Sequence, residues 1–143
     1  MYVVFKEFRF EAAHRLPHVS ADHPCARLHG HSYLVRIEVR GDLAPRLGWV
    51  VDFARITDAC TPIVSALDHR VLNEIPGLEN PTSEHLAAWI WTRLAPWLPA
   101  LDRIEVRETA TSGCSYRGAS AKGDTPAARE PDVTLSKPGE TSD

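Results

Sequence analysis

Cysteine is scarce in this chain and does not come in pairs. Cys25, Cys60 and Cys114 are the only three in 143 residues. They are odd in number and widely spaced, which argues against a disulfide framework and for a reducing, cytoplasmic setting. No apolar run is long enough to span a bilayer, and the start, Met1-Tyr2-Val3-Val4-Phe5-Lys6-Glu7-Phe8, reads as a strand broken by charge rather than a signal peptide. Lys and Arg nowhere gather into a run, and the net charge is −3. That argues against nucleic acid or an anionic membrane as partner. From Gly118 onward large apolar residues are nearly absent, so 119–143 reads as a polar, disordered tail that cannot offset its ordering entropy. The remainder, 1–118, is expected to be one domain with a real core.

The patterning in 1–118 is α+β. Phe8, Phe10, Ala12 and His14 share one face of a first strand, with Arg9 and Glu11 on the other. Tyr33, Val35, Ile37 and Val39 share a face of a second strand, and His29 and His31 have the same parity. If both strands are regular, all three histidines project to the covered side; a bulge near Ala12-Ala13 would change this for His14. Asp52 is an N-cap for a helix over 53–67, whose apolar stripe is Phe53, Ile56, Cys60, Ile63 and Leu67. Pro62 is expected to bend or break it. Pro76-Gly77 signals a turn, Asn80 or Thr82 can cap a second helix, and Pro96 ends it. Ile104, Val106 and Glu108 then share a strand face, and a short last strand covers 114–117.

Four features carry chemistry. His29-Gly30-His31 places two imidazoles on one side of a strand, and His14 supplies a third. That is a three-ligand metal set with an open position, for which zinc is the best occupant. By contrast, His18, His23 and His85 read as ordinary surface or satisfied residues. Cys25, four residues before His29, is a reactive thiolate or a fourth metal ligand, and spacing does not separate these. Cys60 reads as packing. Asp68-His69 is either a carboxylate–imidazole pair for proton transfer or a helix-end histidine suited to the dipole. Glu108 puts a carboxylate on the covered face, where it needs a cation or a ligand with adjacent N–H donors.

These residues fall within a recognisable pattern. Phe10-Glu11-Ala12-Ala13-His14-Arg15-Leu16, Cys25-x-x-x-His29-Gly30-His31, Gly48-Trp49-Val50-Val51-Asp52-Phe53, Leu67-Asp68-His69, Leu72-Asn73, Asn80-Pro81-Thr82-Ser83-Glu84 and Glu108-Thr109 occur in this order. Over about residues 5–118 the chain resembles the 6-pyruvoyl-tetrahydropterin synthase family, most closely its 6-carboxytetrahydropterin synthase branch of the queuosine pathway. The resemblance implies the tunnelling fold, with a four-stranded antiparallel sheet, two helices on one face and the order β-β-α-α-β-β. It implies a homo-oligomer, built of trimers that stack as hexamers, with active sites between subunits. It also implies zinc on His14, His29 and His31, Cys25 as catalytic thiolate, Asp68 and His69 as its proton relay, and Glu108 as anchor of the pterin ring. The implied substrate is 7,8-dihydroneopterin triphosphate, with Arg15, Arg27 and Lys6 available to its phosphates. The implied products are 6-carboxy-5,6,7,8-tetrahydropterin, acetaldehyde and triphosphate. The nearer alternative is 6-pyruvoyl-tetrahydropterin synthesis without carbon–carbon cleavage; the more distant one is a closed structural zinc site of Cys25 and the three histidines. No nucleotide cofactor is implied, in keeping with the lack of a glycine-rich phosphate loop.

Overall fold

The computed structural model describes residues 1–119, so the tail expected over 119–143 lies, past Ala119, outside the described residues. Two long strands form the frame, β1 (Tyr2–His14) and β2 (His29–Gly41). They pair antiparallel without a slip from Tyr2 opposite Gly41 to His14 opposite His29. The Ala12-Ala13 segment therefore carries no bulge in this ladder, and the parity argument for His14 stands. After β2 come α1 (Phe53–Leu67), β3 (Arg70–Val71), α2 (Ser83–Leu94), β4 (Leu101–Thr109) and β5 (Ser112–Tyr116).

The sheet differs from the expected one. It has five strands in the order β3-β1-β2-β4-β5, and β3 runs parallel to β1. The element order is thus β-β-α-β-α-β-β, not β-β-α-α-β-β. Two residues are too few to show a period-2 alternation, so β3 leaves no trace in the sequence pattern. The other four strands are antiparallel neighbours, as expected.

One face of the sheet meets the helices. Phe10, Ala12, Tyr33, Val35, Ile37, Ile104 and Val106 pack there with Ile56, Cys60, Ile63, Leu67, Leu86 and Ile90 in one cluster. Each large side chain buried this way contributes roughly 1.5–3 kcal/mol. The rings of Phe10 and Tyr33 stack with centroids 4.9 Å apart. Cys60 is buried, as its place in the stripe suggests, and burial pushes its thiol up to about 12. All three cysteines carry free thiols. No helix among the described residues is long and apolar enough to cross a membrane.

The helix ends follow the sequence, with two departures. Asp52 caps α1 by accepting the Ala54 N–H at 2.9 Å, and Thr82 caps α2 by accepting the His85 N–H at 3.2 Å. Phe53, however, is half exposed and does not join the buried stripe. It is the first residue of α1, and the buried side begins three residues later at Ile56. Pro62 does not break α1, which continues to Leu67. Both Pro62 and Asp58, whose carbonyl loses its donor, are exposed, so that carbonyl can turn to solvent. Gly77 has φ +90°, the left-handed turn geometry its Pro76-Gly77 signal implies, and a Cβ there would lie 3.3 Å from the Trp89 ring.

Candidate functional site

The unbroken β1–β2 register sets the site. His14 lies opposite His29, and Ala12 lies opposite His31. The three imidazoles therefore stand together at one end of the hairpin, on the covered face. Their ring centroids are 4.6, 4.9 and 5.1 Å apart, with the planes steeply inclined to one another. One ligand atom from each lies within 4.8 Å of the others, so this group could bind a metal ion.

Hydrogen bonds fix which nitrogens face inward. His14 Nδ1 lies 2.9 Å from the Pro81 carbonyl, and His29 Nδ1 lies 2.7 Å from the Arg27 carbonyl. A carbonyl only accepts, so both Nδ1 atoms carry the proton and both Nε2 atoms carry a lone pair. Those two Nε2 atoms are 3.0 Å apart. Two lone pairs facing each other at that distance repel unless a proton or a cation lies between them. His31 Nε2 is buried with no hydrogen-bond partner. Burial also pushes the His14 pKa down, which favours the neutral imidazole that a metal requires. Tyr33 closes the site from beneath, its hydroxyl 3.2 Å from His14 Nδ1, and burial pushes the phenol pKa up so that it stays protonated.

Glu108 reaches the same place from β4. Its Oε2 is 3.8 Å from His31 Nε2, with the side chain about one quarter exposed. The carboxylate thus borders the histidines and keeps an edge open to solvent. Of the basic residues, Arg15 and Arg27 directly follow or precede this end of the hairpin. Lys6 sits eight residues back along β1, about 26 Å from His14 at strand rise, and does not belong to the same end.

Asp68 and His69 form a second group. Asp68 Oδ2 is 2.9 Å from His69 Nδ1, and Asp68 Oδ1 accepts the Glu11 N–H at 2.9 Å. The Glu11 N–H, followed by the His69 hydrogen bond, holds the Asp68 carboxyl below the usual range. His69 has φ +57°, an uncommon conformation for a residue with a Cβ, and its ring is largely exposed. A shallow groove of about 440 Å³ brings His69 and His31 to one surface, with Glu11 and Arg70 along it.

Cys25 lies on a 3-10 turn, Pro24–Ala26, in the loop between β1 and β2. It is partly exposed and is not a member of the three-histidine cluster. Its N–H donates to His23 Nδ1 at 3.0 Å, so His23, read from sequence as an ordinary surface residue, caps the cysteine's turn. Among the described residues no hydrogen bond joins Cys25 to His69. Sequence reasoning also missed the carbonyls of Pro81 and Arg27, because a backbone acceptor has no residue-type signature.

Comparisons with known proteins bear on the family and the fold. The family profile described as 6-pyruvoyl tetrahydropterin synthase matches residues 3–119. The 6-carboxy-5,6,7,8-tetrahydropterin synthase of Synechocystis sp. is 44% identical over 122 residues, covering 81% of this chain and 93% of that protein. The Bacillus subtilis protein of the same name is 33% identical over 124 residues, covering 78% of this chain and 82% of that protein. Among solved structures, Caenorhabditis elegans 6-pyruvoyl tetrahydropterin synthase superimposes with a TM-score of 0.74 at 26% identity, covering 83% of this chain and 98% of that one.

Proposed function

The chain belongs to the 6-pyruvoyl tetrahydropterin synthase family, and on that premise we propose that it is a 6-carboxy-5,6,7,8-tetrahydropterin synthase. In this reading it is a zinc-dependent lyase that converts 7,8-dihydroneopterin triphosphate to 6-carboxy-5,6,7,8-tetrahydropterin, releasing acetaldehyde and triphosphate. It acts in the cytoplasm, in queuosine or related 7-deazapurine synthesis. What supports the branch is the 44% identity to a relative of that name across 93% of the relative's length. What supports the site is the convergence of His14, His29, His31 and Glu108 at one end of the hairpin.

His14, His29 and His31 would hold the zinc. The donor set fits: two Nε2 lone pairs 3.0 Å apart are close to the roughly 3.3 Å kept by two ligands of one tetrahedral zinc. When bound, the ion supplies Lewis acidity toward the side-chain hydroxyls of the substrate. Glu108 accepts two N–H donors from the amino-pyrimidinone edge of the pterin, a bidentate pairing that fixes the ring and points its side chain at the histidines. Cys25 as thiolate and His69 as acid or base move protons at the side-chain carbons. Asp68 holds the His69 tautomer, with Nδ1–H directed to its Oδ2. As the resemblance to this family implies sites between subunits, we infer that Cys25 of one copy and His69 of another complete each site in a homo-oligomer. Arg15 and Arg27 meet the triphosphate.

Incubation with 7,8-dihydroneopterin triphosphate, followed by mass analysis, is expected to give 6-carboxytetrahydropterin and stoichiometric acetaldehyde. A 6-pyruvoyl product without acetaldehyde would assign the chain to the other branch. Glu108→Gln replaces one acceptor oxygen by a donor and removes the charge. Hydrogen bonds to a charged group are worth more than neutral ones, so substrate binding is expected to weaken roughly 10–100-fold. Unchanged affinity for the pterin would remove Glu108 from the anchor role.

A further inference from the structure

Strand β3 is only two residues long, too short to hold itself against β1 by backbone pairing alone. Side chains extend it at both ends. Upstream, the Asp68 carboxylate accepts the Glu11 N–H, and the His69 N–H donates to the Glu11 carbonyl at 2.6 Å. Downstream, the Asn73 carboxamide stands in for a further strand residue. Its Oδ1 accepts the Arg15 N–H at 2.9 Å, and its Nδ2 donates to the Arg15 carbonyl at 2.8 Å. The same Nδ2 donates to the Glu79 carbonyl at 3.3 Å.

These bonds reach several parts of the site. Arg15 directly follows His14. The next residue, Leu16, donates its N–H to the Cys25 carbonyl at 2.8 Å. Glu79 lies two residues before Pro81, whose carbonyl orients His14. The Asn73 amide therefore ties the end of β1 with His14 to the loop that leads to Pro81 and to the segment that begins at Asp68-His69, and the Leu16 bond joins the Cys25 turn to that same end of β1.

We propose that Asn73 is a positioning residue: its carboxamide splices the relay-bearing segment to β1 and fixes His14 and the Cys25 turn in one frame. This rests on the ligand and relay roles proposed above. Asn73 need not touch substrate, since its effect passes through the backbone of Arg15 and Glu79.

Asn73→Ala and Asn73→Asp are compared with Ile63→Val, a destabilising change in the buried face of α1. Asn73→Asp keeps an acceptor for the Arg15 N–H but turns a carboxylate oxygen toward two carbonyls, so it does not restore the splice. Zinc affinity is read by competition with a chromophoric chelator, and kcat and KM are read with dihydroneopterin triphosphate. Both Asn73 variants are expected to bind zinc about tenfold more weakly, the usual cost of losing support behind a metal ligand. Their kcat is expected to fall about a hundredfold, as for a misplacement of about 1 Å. Ile63→Val lowers Tm but keeps wild-type zinc affinity and kcat. Folded Asn73 variants that match Ile63→Val in both measures overturn the proposal. If the unaltered chain does not turn over this substrate, the functional reading fails and the zinc affinities alone decide the role of Asn73.

Discussion

Replacing Cys25 by alanine is expected to lower turnover by about a thousandfold, within the range for loss of a positioned proton-transfer group, while bound zinc and Tm stay close to those of the unaltered protein. The reason is geometric. The cluster whose ligand atoms approach within 4.8 Å is His14, His29 and His31, and Cys25 stands outside it. Its carbonyl accepts the Leu16 N–H and its own N–H donates to His23 Nδ1, and neither bond needs the thiol. The side chain is partly exposed, so alanine leaves no large cavity. Zinc analysis and a steady-state assay on the same preparation separate the two readings of this residue. Retained zinc with lost turnover agrees with a thiolate that moves protons. Lost zinc with an unfolded chain would instead make Cys25 the fourth ligand of a structural site, and the catalytic assignment would be wrong.

The second large effect is expected from His29→Ala. Removing this imidazole leaves His14 and His31 to hold the ion with two nitrogens, and turnover should fall below detection. Stability gives an independent reading. A ligand that binds only the folded state adds about 4 kcal/mol at a thousandfold excess over its Kd. The unaltered protein should therefore lose several degrees of Tm when a strong chelator is added. His29→Ala should melt at the same temperature with or without chelator. A chelator shift that persists in His29→Ala would show that the stabilising ion sits elsewhere. The prediction follows from the hydrogen bonds that point Nδ1 of His14 and of His29 at carbonyls, so that their Nε2 lone pairs converge.

Much of this site was legible in the sequence because strand periodicity is strict. Once His14 shared parity with Phe10 and Ala12, and His29 and His31 with Tyr33 and Val35, only a bulge could separate them. The β1–β2 register has none. Glu108 was legible for the same reason, as the continuation of the Ile104-Val106 face. Where the periodicity was short or absent, the sequence was silent. Strand β3 is too short to have a period, and its pairing depends on the side chains of Asp68 and Asn73. The exposure of Phe53 and the continuity of α1 through Pro62 were also invisible, because both depend on where the helix lies relative to the sheet.

By itself, then, the sequence determined which side chains could share a face, and the ordered motifs determined the family. Both are local properties, carried by residue type and spacing. Only the tertiary structure decided which nitrogens of His14 and His29 face the centre, because that is set by carbonyls of Pro81 and Arg27 brought in from loops. It alone placed Cys25 outside the histidine cluster and placed His69 beside the groove that reaches His31. Backbone acceptors and loop paths have no signature in residue type, and they take their positions only when the chain is packed.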